Sequence, residues 1–156
     1  MKVLDALNQV AEFHRTFKHP IKKAPAIPEK KRCDLRVALI REELEELEAA
    51  IENNDLVEVA DALCDIQYVL SGAVLEFGMG EKFRDLFDEV QRSNMSKSCA
   101  TKQEAEATVK YYKEKRGMDC FYREVDGHFL VYRTSDNKTL KSINYSPANI
   151  KSILGK

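Results

Sequence analysis

A chain of 156 residues with 44% hydrophobic content is long enough for one domain around a single core and too short for several. Its formal net charge of −1 argues against a nucleic-acid polymer or a membrane surface as partner, and no stretch approaches the roughly 18 apolar residues of a membrane span. The four cysteines, Cys33, Cys64, Cys99 and Cys120, have no zinc-like spacing and read as ordinary reduced thiols, so a cytoplasmic location is the expectation.

In chain order, Val3, Leu4, Leu7, Val10, Ala11, Phe13 and Phe17 lie on one side of a predicted helix over 3–17, which Pro20 limits. His14 shares that apolar side, where a packing role is expected. The segment HPIKKAPAIPEKKR, with three prolines, predicts an extended connection without its own core. A second helix is predicted from about Asp34 to Ile51 and a third from about Leu56 to Phe77, with Gly78 placed to end it. Phe83, Leu86, Phe87 and Val90 mark a fourth, reaching about Gln91. Four amphipathic helices predict a bundle-like core over residues 1–98.

Residues 99–156 read as an extension on the same domain. Thr101 and Glu104 form a capping-box pattern ahead of a fifth helix that Gly117 closes. CFYREV and HFLVYRT around Asp126-Gly127 predict a β-hairpin, in which Phe121, Tyr122, Phe129 and Tyr132 most simply stabilise the strand pair. Ser146 as cap and Pro147 at the first helical position predict a short last helix. The fold class is therefore mainly α, with a C-terminal helix and a small β-hairpin appendage.

Charge is unevenly placed. Between Arg41 and Asp65 there are ten acidic residues and one basic, whereas Arg15 to Arg32 holds seven Lys or Arg and one acid. At about 100° per residue, Glu42, Glu43 and Glu46 fall within one arc of the second helix, beside an apolar arc of Ile40, Leu44, Leu47 and Ile51. In the third helix Glu58, Asp61 and Asp65 share a narrow arc beside a stripe of Leu56, Val59, Leu63, Ile66, Leu70 and Val74. A short turn makes the two helices antiparallel, which brings six carboxylates toward one cleft. Clustered like charges are unfavourable, and a hard divalent cation such as magnesium is the natural compensation. A solvated acidic face on a helical hairpin is the alternative. A di-iron bundle is excluded, because none of His14, His19 and His128 follows a glutamate at the required spacing of three.

The segment EELEELEAAIENNDLVEVADALCDIQYV resembles the MazG-like nucleoside triphosphate pyrophosphohydrolases of the all-α NTP pyrophosphatase superfamily. Glu43-x-x-Glu46, preceded by Glu42, is similar to the first half of their signature, and Glu58-x-x-Asp61 to the second. FGMGEKFRDLFDEVQRSNMSK and INYSPANI look like the phosphoribosyl-ATP pyrophosphohydrolase-like branch. In many MazG members the second half falls one turn later, on Ala62 and Asp65 here, and Ala62 cannot bind metal. The resemblance implies a magnesium site, with manganese as substitute, at Glu43, Glu46, Glu58 and Asp61, with Asp65 assisting. It implies catalytic work by Glu46 and by Glu42 as the base, and substrate contacts at Asn94, Lys97, Arg92 and Tyr145. It further implies cleavage of (d)NTPs to (d)NMP and pyrophosphate in a homodimer or homotetramer. Phosphoribosyl-ATP hydrolysis is the close enzymatic alternative, and a non-catalytic helical interaction module the distant one.

Overall fold

The structure is a computed structural model that describes residues 2–155. It divides into two compact units, Met1–Phe83 and Arg84–Lys156. The division falls between Phe83 and Arg84, one residue into the fourth helix, whereas the sequence reading sets a boundary after residue 98.

The first unit holds α1 (Ala6–Thr16), α2 (Lys30–Glu52) and α3 (Leu56–Glu76), followed by a 3-10 turn at Gly80–Lys82. Val10, Ala11 and Leu75 form a small core where α1 meets α3. The α2–α3 turn is built locally. Asn53 ends α2, Asn54 takes the left-handed conformation at φ 54°, and the Asp55 carboxylate accepts from the backbone N–H of Val57 (3.0 Å) and Glu58 (3.2 Å).

α2 starts four residues earlier than the sequence predicts. Lys30 pairs with Asp34 one turn on at 2.6 Å, and Arg32 is drawn into a buried ion pair with Glu76, so tertiary contact winds residues that look like linker. The proline-rich connection is extended, as expected, yet it is fastened to the end of α3. Lys22 N–H donates to the Leu75 carbonyl and Ala26 N–H to that of Phe77, both at 3.0 Å. Gly78, at φ 70°, lets that connection approach, since a Cβ there would lie 2.0 Å from the Ala24 carbonyl oxygen.

The apolar stripes assigned from the helical wheel hold in part: Val74 is buried, Ile40, Leu47, Val59 and Ile66 are half-buried, and the other five positions are corrected. Leu56, Leu63 and Ile51 are 79%, 52% and 60% exposed, and Leu44 and Leu70 are exposed as well. The covered side of α2 instead runs through Arg36, Ile40, Glu43, Leu47 and Ala50, and that of α3 through Ala62, Asp65, Ile66, Gly72 and Glu76. Within the first unit α1 alone cannot cover every side of α2 and α3, so part of each apolar stripe stays exposed, and the covered line takes small and ion-paired residues beside Ile40, Leu47 and Ile66.

The second unit holds α4 (Phe83–Met95) apart from its first residue, α5 (Lys102–Arg116), β1 (Cys120–Val125), β2 (His128–Arg133) and α6 (Ile150–Leu154). α4 runs one turn past the predicted end. The Thr101 side chain caps α5 through Glu104 N–H, and Gly117 closes it at φ 58°. The hairpin is antiparallel with Val125 opposite His128, and its two turn residues, Asp126 and Gly127, both have positive φ, as a twist-compatible two-residue turn requires. Phe121 packs on Tyr132 and Tyr122 on Phe129 across the strands. Cys99, Ala105, Cys120, Val131 and Leu140 form the core beneath.

The last helix differs from expectation. It begins at Ile150 with Asn149 as its cap rather than at Ser146-Pro147. Arg92 Nη2 donates to the carbonyls of Ser146 (3.5 Å) and Pro147 (3.1 Å), and Asn149 N–H donates to Glu89 at 2.7 Å, which holds 146–149 extended. The protein is mainly α with a β-hairpin appendage. Among the described residues, no single helix is long and apolar enough to cross a membrane.

Candidate functional site

The acidic residues of α2 and α3 do lie opposite one another, but in two places. Glu46 and Glu58 line one cavity with Asn53 and Asp55, close to the inter-helix turn. Glu43 and Asp65 line another, further from it. This is the antiparallel register at work: positions near the turn pair with each other, and positions further along α2 pair with positions further along α3.

Glu43 is the electrostatic centre of the group. Partial burial pushes its carboxyl up from the ordinary glutamate range, and repulsion from Asp65, Glu46, Glu42 and Asp61 adds to that shift. Charges from both helices therefore act on one side chain. Glu42, Glu46, Glu58 and Asp61 are exposed. Ala62, one turn before Asp65, is buried at 3% exposure. The MazG position that departs from the signature is a packing position here.

The carboxylates are not gathered into a closed cage. Among the described residues no three of His, Cys, Asp or Glu stand close enough together to hold a metal ion. Their chemistry nevertheless fits magnesium, which prefers hard oxygen donors and is bound through one or two carboxylates, waters and substrate phosphates rather than by an all-protein cage.

Arg32, Arg36 and Glu76 were not singled out in the sequence. Glu76 is 1% exposed. It accepts from Arg32 Nε at 3.0 Å, from Arg32 Nη2, and from Arg36 Nη2 at 2.5 Å. Burial opposes its ionisation, and the hydrogen bonds from Arg32 and Arg36 more than offset this, holding it below the ordinary range. The signal was a single acid inside the apolar run LSGAVLEFG, which demands a buried partner, and two arginines at i, i+4 on the face that continues to Glu43.

The remaining predicted substrate residues belong to the second unit. Lys97 Nζ donates to Asn94 Oδ1 at 2.8 Å. Tyr145 shares a 3.0 Å hydrogen bond with Ser93, and Lys141 Nζ stands 4.2 Å from the centre of its ring. The Ser93 hydrogen bond lowers the phenol's pKa against the effect of burial, and Lys141 and Lys97 lower it further. Arg92 is engaged by Glu89 and by the carbonyls of 146–147, so its resolved work is to position the segment that carries Tyr145.

An uncharacterized protein of Acanthamoeba polyphaga mimivirus is 26% identical, over 93% of this chain and 94% of that protein. A model of the phosphoribosyl-ATP pyrophosphohydrolase family matches residues 10–94, which run from within α1 through α2 and α3 to nearly the end of α4. That match covers more than half of the chain and includes every acidic candidate. The chain belongs to the phosphoribosyl-ATP pyrophosphohydrolase family, a family of nucleotide pyrophosphohydrolases.

Proposed function

We propose that the chain is a magnesium-dependent nucleoside triphosphate pyrophosphohydrolase that cleaves the α–β phosphoanhydride bond of (d)NTPs to give (d)NMP and pyrophosphate. The observation that carries this reading is that acids of α2 and α3 line common cavities, Glu46 with Glu58 and Glu43 with Asp65, and that burial and this like-charge proximity both push the Glu43 carboxyl up. Such repulsion is unfavourable in the bare chain and becomes favourable once a divalent cation and a polyphosphate complete the site.

In this reading Glu43, Glu46, Glu58, Asp61 and Asp65 supply the oxygen donors for magnesium, with manganese as substitute. The bound ion would neutralise phosphate charge and polarise the phosphoryl oxygens. Glu42, exposed on α2 next to Glu43, orients the attacking water and takes its proton, and Glu46 shares that catalytic work. In the second unit, Lys97, Asn94 and Tyr145 are the substrate contacts we propose, and Arg92 acts with them by holding Ser146 and Pro147. Leu56, Leu63 and Ile51 leave an apolar face on α2 and α3 that supports a homodimer or homotetramer. A cytoplasmic enzyme acting on free nucleotides is the simplest setting.

Hydrolysis of phosphoribosyl-ATP is the second reading, favoured by the family match itself. Pyrophosphate release from dNTPs, NTPs and phosphoribosyl-ATP, with magnesium, separates the two by which substrate turns over fastest. Monophosphate plus pyrophosphate from wild type, with loss of at least about a hundredfold in folded Glu46→Ala, is the expected result. No turnover of any substrate with magnesium or manganese overturns the catalytic reading and favours a helical interaction module.

A further inference from the structure

The second unit has a cavity of its own, about 570 Å3 in volume, and none of the residues 10–94 matched by the family lines it. Tyr111, Tyr112 and Arg116 from the end of α5 contribute to it, with Met118 just beyond and Lys141 and Tyr145 from the segment before α6. Pockets for small organic ligands span roughly 300–1,000 Å3, so the space suits one such molecule.

Both parts of the lining are fixed by the chain itself. Gly117, at φ 58°, ends α5 and turns the chain so that Met118 N–H donates back to the Tyr112 carbonyl at 3.1 Å. Ser142 is 4% exposed, and its N–H donates to the Lys97 carbonyl at 3.2 Å while its hydroxyl donates to Glu104. Ile143 N–H donates to Thr108 Oγ1, also at 3.2 Å. The extension beyond the family match therefore builds this cavity, a use that the carboxylates of the first unit do not give it.

The charge of the lining has one sign. Arg116 and Lys141 contribute to it and no acidic residue does. The exposed Arg116 guanidinium has no hydrogen-bond or ion-pair partner among the described residues, and Glu114, two positions before it, pairs with Lys110 at 3.9 Å. Lys141 Nζ stands 4.2 Å from the centre of the Tyr145 ring. The remaining surface is aromatic, with Tyr111 and Tyr112 meeting edge to face at 5.4 Å and Tyr111 left 40% exposed.

An inorganic anion would use the two cations and leave the rings idle, and an uncharged ring would do the reverse. A nucleic-acid strand requires a track of cations along successive phosphates, which two cations in one cavity do not form. A planar ring carrying a phosphate uses both kinds of surface.

We propose that this cavity is a second nucleotide site, which binds a nucleoside monophosphate with its phosphate on Arg116 and Lys141 and its base against Tyr111, without a divalent cation. The two cations supply the countercharge that a metal ion supplies beside carboxylates. The assignment does not depend on which reaction the first unit performs.

The test uses the full chain with 13C-labelled methionine methyls, which give four signals, and Met118→Leu identifies the one in the cavity. Adenosine, guanosine, cytidine and uridine monophosphates are titrated in the presence of a metal chelator. At least one is expected to shift the Met118 methyl saturably, and its nucleoside and inorganic phosphate to bind at least about tenfold more weakly. Arg116→Gln and Tyr111→Leu, both at exposed positions, are each expected to weaken binding of the monophosphate by about tenfold, whereas Glu46→Ala binds it as wild type does. No saturable shift with any monophosphate, equal affinity for inorganic phosphate, or undiminished affinity in either cavity variant overturns the proposal. Loss of binding in Glu46→Ala places the nucleotide at the carboxylates and overturns it as well. A wild type that binds in this way but hydrolyses no nucleotide keeps the site and overturns the reaction proposed above, and hydrolysis with no Met118 shift does the reverse.

Discussion

Arg36 Nη2 lies 2.5 Å from Glu76 Oε1, and with exposures of 7% and 1% the two residues form a buried ion pair joining α2 to the last turn of α3. Arg32 donates to the same carboxylate one turn earlier, so the group carries one net positive charge beside the acidic cleft. Forming such a group from water contributes little, but removing one partner strands a desolvated charge. Glu76→Gln is therefore expected to lose about 3–5 kcal/mol of stability, read from urea unfolding at pH 7.

The same pair sets an acid limit. Because burial raises Glu76 but hydrogen bonds from the two arginines lower it further, its folded pKa lies below the ordinary 4.5. The stabilisation is present above 4.5 and is lost as pH falls through the folded value. Denaturant midpoints of wild type should fall in that acid range, and those of Glu76→Gln should fall less.

Glu43 has the opposite sign. Its folded pKa is raised, so it stabilises the chain below the ordinary value and that contribution is lost as pH rises through the folded one. At pH 7 without divalent ions, Glu43→Gln is expected to raise Tm by about 2 °C. Magnesium should raise the Tm of wild type more than that of the variant. A thermal shift series with and without magnesium checks both, and a lower Tm for the metal-free variant counts against the repulsion.

Gly78→Ala meets two obstacles, a positive φ and a carbonyl oxygen 2.0 Å from the new methyl group. Relief requires breaking the backbone bonds from Lys22 to Leu75 and from Ala26 to Phe77. A loss of about 2 kcal/mol or more is expected, with faster proteolysis within residues 20–28.

Arg92→Ala removes the donor that holds Ser146 and Pro147 and frees Glu89 from its ion pair. Hydrogen exchange at Ser146 and Asn149 should speed up by about tenfold, with little change in the hairpin. Arg92 and the Asn149 N–H hold Glu89 down to about 2, so in wild type the same release should develop progressively as pH falls from 4.5 to about 2.

Much of the fold was legible in local chemistry. Asp126-Gly127 forms the hairpin turn, Thr101 and Gly117 bracket α5, and the helical spacing located every long helix. Misreadings arose where distant residues decide a local question. Pro147 has the ideal residue type for a helix start, yet Arg92 and Glu89 hold residues 146–149 extended and Asn149 caps the helix. Lys30 to Arg32 look like linker and are helical because Arg32 meets Glu76, forty-four positions away.

For the site, residue type and spacing alone determined that carboxylates from two antiparallel helices would oppose each other, because helical pitch and a short turn permit little else. Only the tertiary structure decided their grouping, with Glu46 facing Glu58 near the turn and Glu43 facing Asp65 further from it. It also decided which side of each helix is covered, since a hydrophobic wheel ranks faces by composition while packing ranks them by how closely two backbones approach. Ala62, Gly72 and the arginine-paired Glu76 share that inner line with Ile40, Leu47 and Ile66 while Leu44, Leu56 and Leu63 are left outside, because the covered side has room for small side chains and for charges that bring their own partners.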